Sequence, residues 1–228
     1  MKKIRTLLVQ FENELPAHKI TAFRGAVVEK VGREHILYHQ HKSDTEVFYT
    51  YPLIQYKIIH NKPCIICLGE GVDEIHKLFN HASWDINLLG DRMVLVIDRL
   101  DLNNQVLNIW DKKISYTIRN WMGLNADNYK KYLDLTEQSE MIDFLENILK
   151  ANILSFAKGL KWEVEKPILL TITGIVSQQA RKFKGISLIT FDLDFQCNVS
   201  LPNYIGLGKS VSQGYGMVRS INNLNDSK

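Results

Sequence analysis

The sequence has no apolar run near the ~18 residues that cross a bilayer, which argues against a membrane-spanning helix. No signal peptide is expected from its first residues. The basic start Met1-Lys2-Lys3-Ile4-Arg5 leads into an apolar stretch, Thr6 to Phe11, that is too short, and Glu12 and Glu14 stand where a cleavage site belongs. The expected location is the cytoplasm, with no membrane partner. Cysteine is scarce, and an odd count of 3 argues against a disulfide framework. Low-complexity segments are absent. Hydrophobic residues at 45% and charged residues at 23% are ordinary for a globular chain, which excludes disordered, collagen-like and mucin-like classes. A length of 228 residues allows one large domain or two small ones, each able to bury a core.

The formal net charge of +3 hides a skew. Residues 1–42 hold Lys2, Lys3, Arg5, Lys19, Arg24, Lys30, Arg33 and Lys42 against four acids. Residues 178–220 hold Arg181, Lys182, Lys184, Lys209 and Arg219 against two. Local positive charge suits a polyanion such as nucleic acid, but charge alone favours an ordinary solvated surface.

Ile4, Leu7, Val9 and Phe11 read as a strand over 3–13. Pro16 opens a helix carrying Ile20, Phe23, Val27, Val28 and Val31, stopped by Gly32. A polar, His-rich loop follows over 33–46. Two strands come next, Phe48 to Ile59 and Cys64 to Leu68, then a short helix with Val72, Ile75, Leu78 and Phe79, then a strand over 92–100. That order is the ferredoxin-like βαββαβ pattern, closed by about residue 100. The second half starts similarly, with strands at 106–110 and 114–121 and a helix over 137–158 preceded by Thr136 and Ser139 as capping residues. Strands over 168–176 and 186–195, joined by a basic turn from Ser177 to Gly185, and a last strand over 215–221 complete it. A glycine-rich segment stands where a second helix is due. The expected fold is α+β, with tandem ferredoxin-like domains at 1–103 and 104–228 and a C-terminal glycine-rich loop.

That segment, Gly206 to Gly216, has the spacing G-x-G-x5-G-x-G. Its glycines allow close backbone approach, its amides can form a phosphate nest, and Lys209 adds a cation. Val211 replaces the third glycine of a dinucleotide fingerprint, and no Walker A run exists. Taken alone, a plain glycine-rich turn is an equal reading. Its place between strands near the end of a second βαββαβ unit changes that balance. With Leu207 and Tyr215 between the glycine pairs and Lys209 inside, the chain resembles the CRISPR-associated endoribonucleases that process precursor CRISPR RNA. Phe23-Arg24-Gly25-Ala26 and the His-rich loop resemble the b-type branch of that repeat-associated superfamily.

The resemblance implies metal-free cleavage of repeat RNA, with no cofactor. Such cleavage needs a base for the 2′-OH and an acid for the departing 5′ oxygen, and imidazole can serve as either. It implies His39 and His41 as catalytic, without saying which is base and which acid. It further suggests Lys30 for the phosphate charge and Tyr49 and Tyr51 for the ribose, with His18 in reserve. His39-x-His41 also has the spacing of a metal pair on a strand, but no acid or cysteine set completes a shell, so no metal site is expected. Gly206, Gly208, Lys209, Gly214, Tyr215 and Gly216, with Arg181, Lys182 and Lys184 in the basic hairpin, are the implied RNA contacts.

Cys64 and Cys67 lie in an apolar strand with no second pair, which favours core thiols over a redox or zinc site. For most of the four tryptophans core packing is favoured over base stacking, since no aromatic strand signature of single-strand RNA readers is present. The expected activity is therefore an endoribonuclease acting on repeat RNA, leaving a 2′,3′-cyclic phosphate and a 5′-OH. A non-catalytic RNA-binding subunit of a CRISPR effector complex is the alternative, with a small-molecule or nucleotide-binding protein behind it. The effector complex and a second copy of the chain stay open as partners.

Overall fold

Alternating apolar residues build the first strand, β1 (Lys2–Phe11), whose Leu7, Val9 and Phe11 enter the core. The computed structural model describes residues 1–39, 50–183 and 186–221, with backbone alone at 181–183 and 186–187. Pro16 precedes one 3-10 turn at Ala17–Lys19, and α1 (Ile20–Val31) follows. Ile20, Phe23, Val27 and Val31 are buried at spacings of three and four, one helical stripe against the sheet. A second 3-10 turn, Ile36–Tyr38, ends at His39. β2 (Ile54–Ile59) and β3 (Lys62–Leu68) pair as a hairpin through His60 and Asn61, both at positive φ as a tight hairpin turn requires.

Where the sequence predicts one short helix, two stand: α2 (Glu70–Glu74) and α3 (His76–Phe79). The strand expected over 92–100 is also divided. Its first part is β5 (Asp91–Val94), hairpinned to β4 (Asp85–Leu88), and its last part begins β6 (Ile97–Leu107). One apolar run serves two sheets. The Leu95 amide bonds to the Trp84 carbonyl, while the next residue's carbonyl accepts from the Glu12 amide beyond β1. The sheet order β2-β3-β1-β6 is ferredoxin-like, with the β4–β5 hairpin inserted before the last strand.

The second βαββαβ set begins with β7 (Ile109–Trp121), where the expected break near residues 111–113 is a register shift within one strand. α4 (Ala126–Asp134) was not legible. It buries only Tyr132 and is capped by the Asn125 side chain, which accepts from the Asn128 amide at 2.7 Å. α5 (Gln138–Gly159) buries Leu145, Leu149, Ile153 and Phe156. Its N-cap is Glu137 with no side-chain cap, so Thr136 and Ser139 do not have the capping role expected of them. β8 (Leu170–Phe183) and β9 (Ile186–Val199) pair to their ends, so Ser177 to Phe183 is strand and not turn. With β10 (Met217–Ser220) the sheet order is β10-β7-β9-β8, again ferredoxin-like, and residues 200–216 replace the second helix.

The chain forms two compact units. One holds Lys3–Gln105 together with Ser212–Gly214. The other holds Met1–Lys2, Val106–Val211 and the chain from Tyr215. Among the described residues no helix is long and apolar enough to cross a membrane.

Candidate active site

Within the N-terminal unit, α1, the Ile36–Tyr38 turn, β2 and residues 212–214 meet around Tyr56. Its ring is fully buried, edge-on to Phe23 at 6.0 Å between centroids. Burial holds its hydroxyl well above the ordinary tyrosine range, so it stays protonated and donates to the Tyr38 carbonyl at 3.2 Å. Tyr38, also raised by burial, donates to the Glu74 carbonyl at 3.0 Å. The next carbonyl, that of His39, accepts from the Arg24 guanidinium at 2.7 Å. Desolvation lowers the Arg24 pKa, with the guanidinium still cationic, and its Nε is buried without a partner among the described residues.

His39 is 9% exposed, and its Nε2 lies 2.7 Å from the Arg33 carbonyl. A carbonyl only accepts, so Nε2 is the donor of this bond. The expected catalytic residues thus divide. His39 joins the cluster. His41 and Tyr49 lie outside the described residues. Tyr51 is buried, and its hydroxyl accepts from the Gln55 amide at 2.9 Å. Lys30, in the last turn of α1 and 17% exposed, donates to Ser83 at 3.0 Å and pairs with Asp85 at 3.4 Å. Hydrogen bonding from Ser83 first, with Lys30 and Arg92 adding charge, holds the Asp85 carboxyl down to about 2. His18 is exposed in the 3-10 turn before α1.

The glycine-rich segment is braced by backbone hydrogen bonds, two of the three to residues at the end of β7 and just beyond it. The amides of Leu207, Lys209 and Gly216 donate to the carbonyls of Gly216, Met122 and Asn120 at 2.9 to 3.1 Å. A phosphate nest built on those three amides is therefore closed. A Cβ on Gly208 would stand 2.6 Å from the Met122 oxygen, and one on Gly216 would fall on the Leu207 carbonyl. These glycines answer to packing. Lys209 keeps an exposed side chain, and Gly206 bridges to Met217. Tyr215 is half-buried. The tip, Ser212–Gly214, is part of the N-terminal unit: Tyr56 donates from its amide to the Ser212 carbonyl at 3.3 Å and pairs in parallel with Gln213. Arg181 and Lys182 are paired in β8 with Leu188 and Ser187, and Lys184 lies outside the described residues.

Sequence reasoning missed Arg24 and Tyr56 as site residues. Arg24 reads as an ordinary helix cation and Tyr56 as strand core. The signal that points to Arg24 is a cation four residues from buried Ile20, hence on the packed side of α1. Burial pushes the thiols of Cys64 and Cys197 up to about 12 and that of Cys67 up as well, as inert core cysteines require. Among the described residues no group of three His, Cys, Asp or Glu is placed to hold a metal ion.

Comparison with known proteins gives a consistent answer. Residues 2–106 match the family model of the Cas6b N-terminal domain, and residues 108–221 that of the Cas6b C-terminal domain. A crystal structure of Cas6b superposes with a TM-score of 0.87 at 25% identity, over 96% of this chain and 100% of that one. A crystal structure of a CRISPR RNA processing endoribonuclease, Cas6b, superposes at 0.73 with 24% identity over the same shares and supports the fold. An uncharacterized protein of Methanocaldococcus jannaschii is 33% identical over 137 residues, covering 59% of this chain and 90% of that protein.

Proposed function

The chain belongs to the Cas6b family, and from that premise we propose that it is a CRISPR RNA processing endoribonuclease that cuts its substrate within the repeats without a metal ion. The N-terminal half, 1–103, supplies the acid–base chemistry, and the C-terminal half, 104–228, holds the repeat RNA. His39 and His41 share the tasks of taking the 2′-OH proton and protonating the 5′ oxygen. The 2′ oxygen attacks the adjacent phosphorus, the P–O5′ bond breaks, and the products carry a 2′,3′-cyclic phosphate and a 5′-OH. Lys30, steadied by Ser83 and Asp85, offsets the charge that builds on the phosphate oxygens. Lys209 and the basic β8–β9 hairpin neutralise phosphates along the repeat.

The observation that carries this reading is His39. It closes the turn after the first helix, its carbonyl is held by Arg24, and its ring nitrogen Nε2 is held at the Arg33 carbonyl. The test is cleavage of the cognate repeat RNA, labelled at its 5′ end, in excess EDTA. A single cut leaving a cyclic phosphate is expected, and His39→Ala and His41→Ala are each expected to slow it by about 10²- to 10⁴-fold. Unchanged cleavage by both variants and their double would remove the histidines from the chemistry. Tight binding without scission would make the protein a binding subunit.

A further inference from the structure

We infer that the tip of the glycine-rich segment, Ser212–Gly214, acts with Tyr56 as a brace for the Tyr38–His39 backbone, and so governs the rate of cleavage instead of the hold on RNA. The inference rests on the reading that His39 belongs to the active centre. It changes the role of Gly214, which the sequence places among the RNA contacts.

Three distances connect the tip to the histidine. The Ser212 carbonyl accepts from the Tyr56 amide at 3.3 Å. The Tyr56 hydroxyl donates to the Tyr38 carbonyl at 3.2 Å. The adjacent His39 carbonyl is held from the other side by Arg24 at 2.7 Å. Gln213 pairs in parallel with Tyr56, so the tip adds a single bridge to the outer edge of β2, which ends the sheet order. Main-chain addition to a strand fixes position and register; it does not present a row of amides to an anion. Gly214 fits this use. Its φ is +89°, and the site of its absent Cβ lies 3.5 Å from Ile20 Cγ1 and 3.7 Å from the Tyr56 carbonyl oxygen. Its neighbours are thus α1 and β2, the two elements that carry Arg24 and Tyr56.

The chemistry explains why such a brace matters. A base must hold its nitrogen within hydrogen-bond reach of the 2′-OH, and a displacement of about 1 Å can cost about 10²-fold in rate. Two successive carbonyls held by one buried and one half-buried donor, with the His39 ring tied to Arg33, constrain that residue along its whole length. Removing the Tyr56 hydroxyl leaves the Tyr38 carbonyl without that donor while the ring still fills its place.

The experiment compares Tyr56→Phe and Gly214→Ala with the full-length parent by three readouts. These are the single-turnover rate at saturating protein, the Kd for repeat RNA blocked by a 2′-deoxy group at the cut, and amide hydrogen exchange at Tyr38 and His39. The expected result is about a tenfold slower rate for Tyr56→Phe, with Kd within twofold and faster exchange at both amides. Gly214→Ala should move the same quantities the same way. A raised Kd with an unchanged saturating rate would return the tip to the RNA cradle and overturn the inference. Unchanged exchange in Tyr56→Phe, with Tm confirming the fold, would overturn it too. Failure of the parent to cut repeat RNA would sink the functional reading instead, and the exchange measurement would still decide whether the brace exists.

Discussion

At the scale of single residues, the glycines of the 206–216 segment meet packing demands that their spacing alone does not display. Their spacing suggests amides offered to phosphate. In the structure Gly216 has φ +64°, its amide is spent on Asn120, and a Cβ would fall on the Leu207 carbonyl. Gly216→Ala should therefore lose at least about 2 kcal/mol of folding stability, read by urea unfolding. Lys209→Ala, at an exposed side chain, should leave the unfolding midpoint in place and lower the salt dependence of RNA binding by about one phosphate. Full stability in Gly216→Ala with RNA binding lost would restore the nest. The residue types of the candidate site were legible, because imidazoles and cations announce their chemistry. Their partners were not. Nothing local links Lys30 to Asp85, or Arg24 to the His39 carbonyl, since those contacts form only when α1 packs against later elements.

At the scale of elements, legibility followed burial. β1, α1 and α5 each bury an apolar stripe, and a stripe has a period that a sequence displays. α4 buries Tyr132 alone, and its helical period is carried by solvated residues. The outer part of the β8–β9 hairpin has Gln178, Gln179 and Ala180 exposed, so its pairing rests on backbone bonds that leave no apolar alternation, and polar residues there read as a turn. The same feature makes the hairpin separable. Replacing residues 179–188 by a two-residue turn keeps the pairs from Leu170 to Gln178 and removes Arg181, Lys182 and Lys184. The unfolding midpoint should move by only a few degrees. The slope of log K against log salt for repeat RNA should become shallower by about 2, for three phosphate contacts on a single strand. An unchanged slope would take the hairpin off the RNA.

At the scale of the whole molecule, buried titratable groups set how stability follows pH. Lys57 on β2 has no exposed surface, and desolvation draws its ammonium down to about 7. The unfolded chain then binds more protons than the folded one between about pH 7 and 10.5, so this lysine makes stability rise with pH across that window. The thiols act in the opposite sense. Burial raises Cys64, Cys67 and Cys197 above the ordinary value of 9, so unfolding releases protons from there upward and stability falls. Tyr38, Tyr56 and Tyr116, all raised by burial, add to the fall above pH 10. One group lifts the curve and several depress it later, which places a maximum between pH 8 and 9. From pH 7 to 8.5 the net gain should be about 1 kcal/mol. Urea unfolding under reducing conditions, at half-unit steps from pH 7 to 10, measures it. Lys57→Met should abolish the rise and keep the fall. A parent curve already flat from pH 7 to 8.5 would mean that Lys57 keeps its charge in the folded chain, and would end the claim that its neutral form is the folded one.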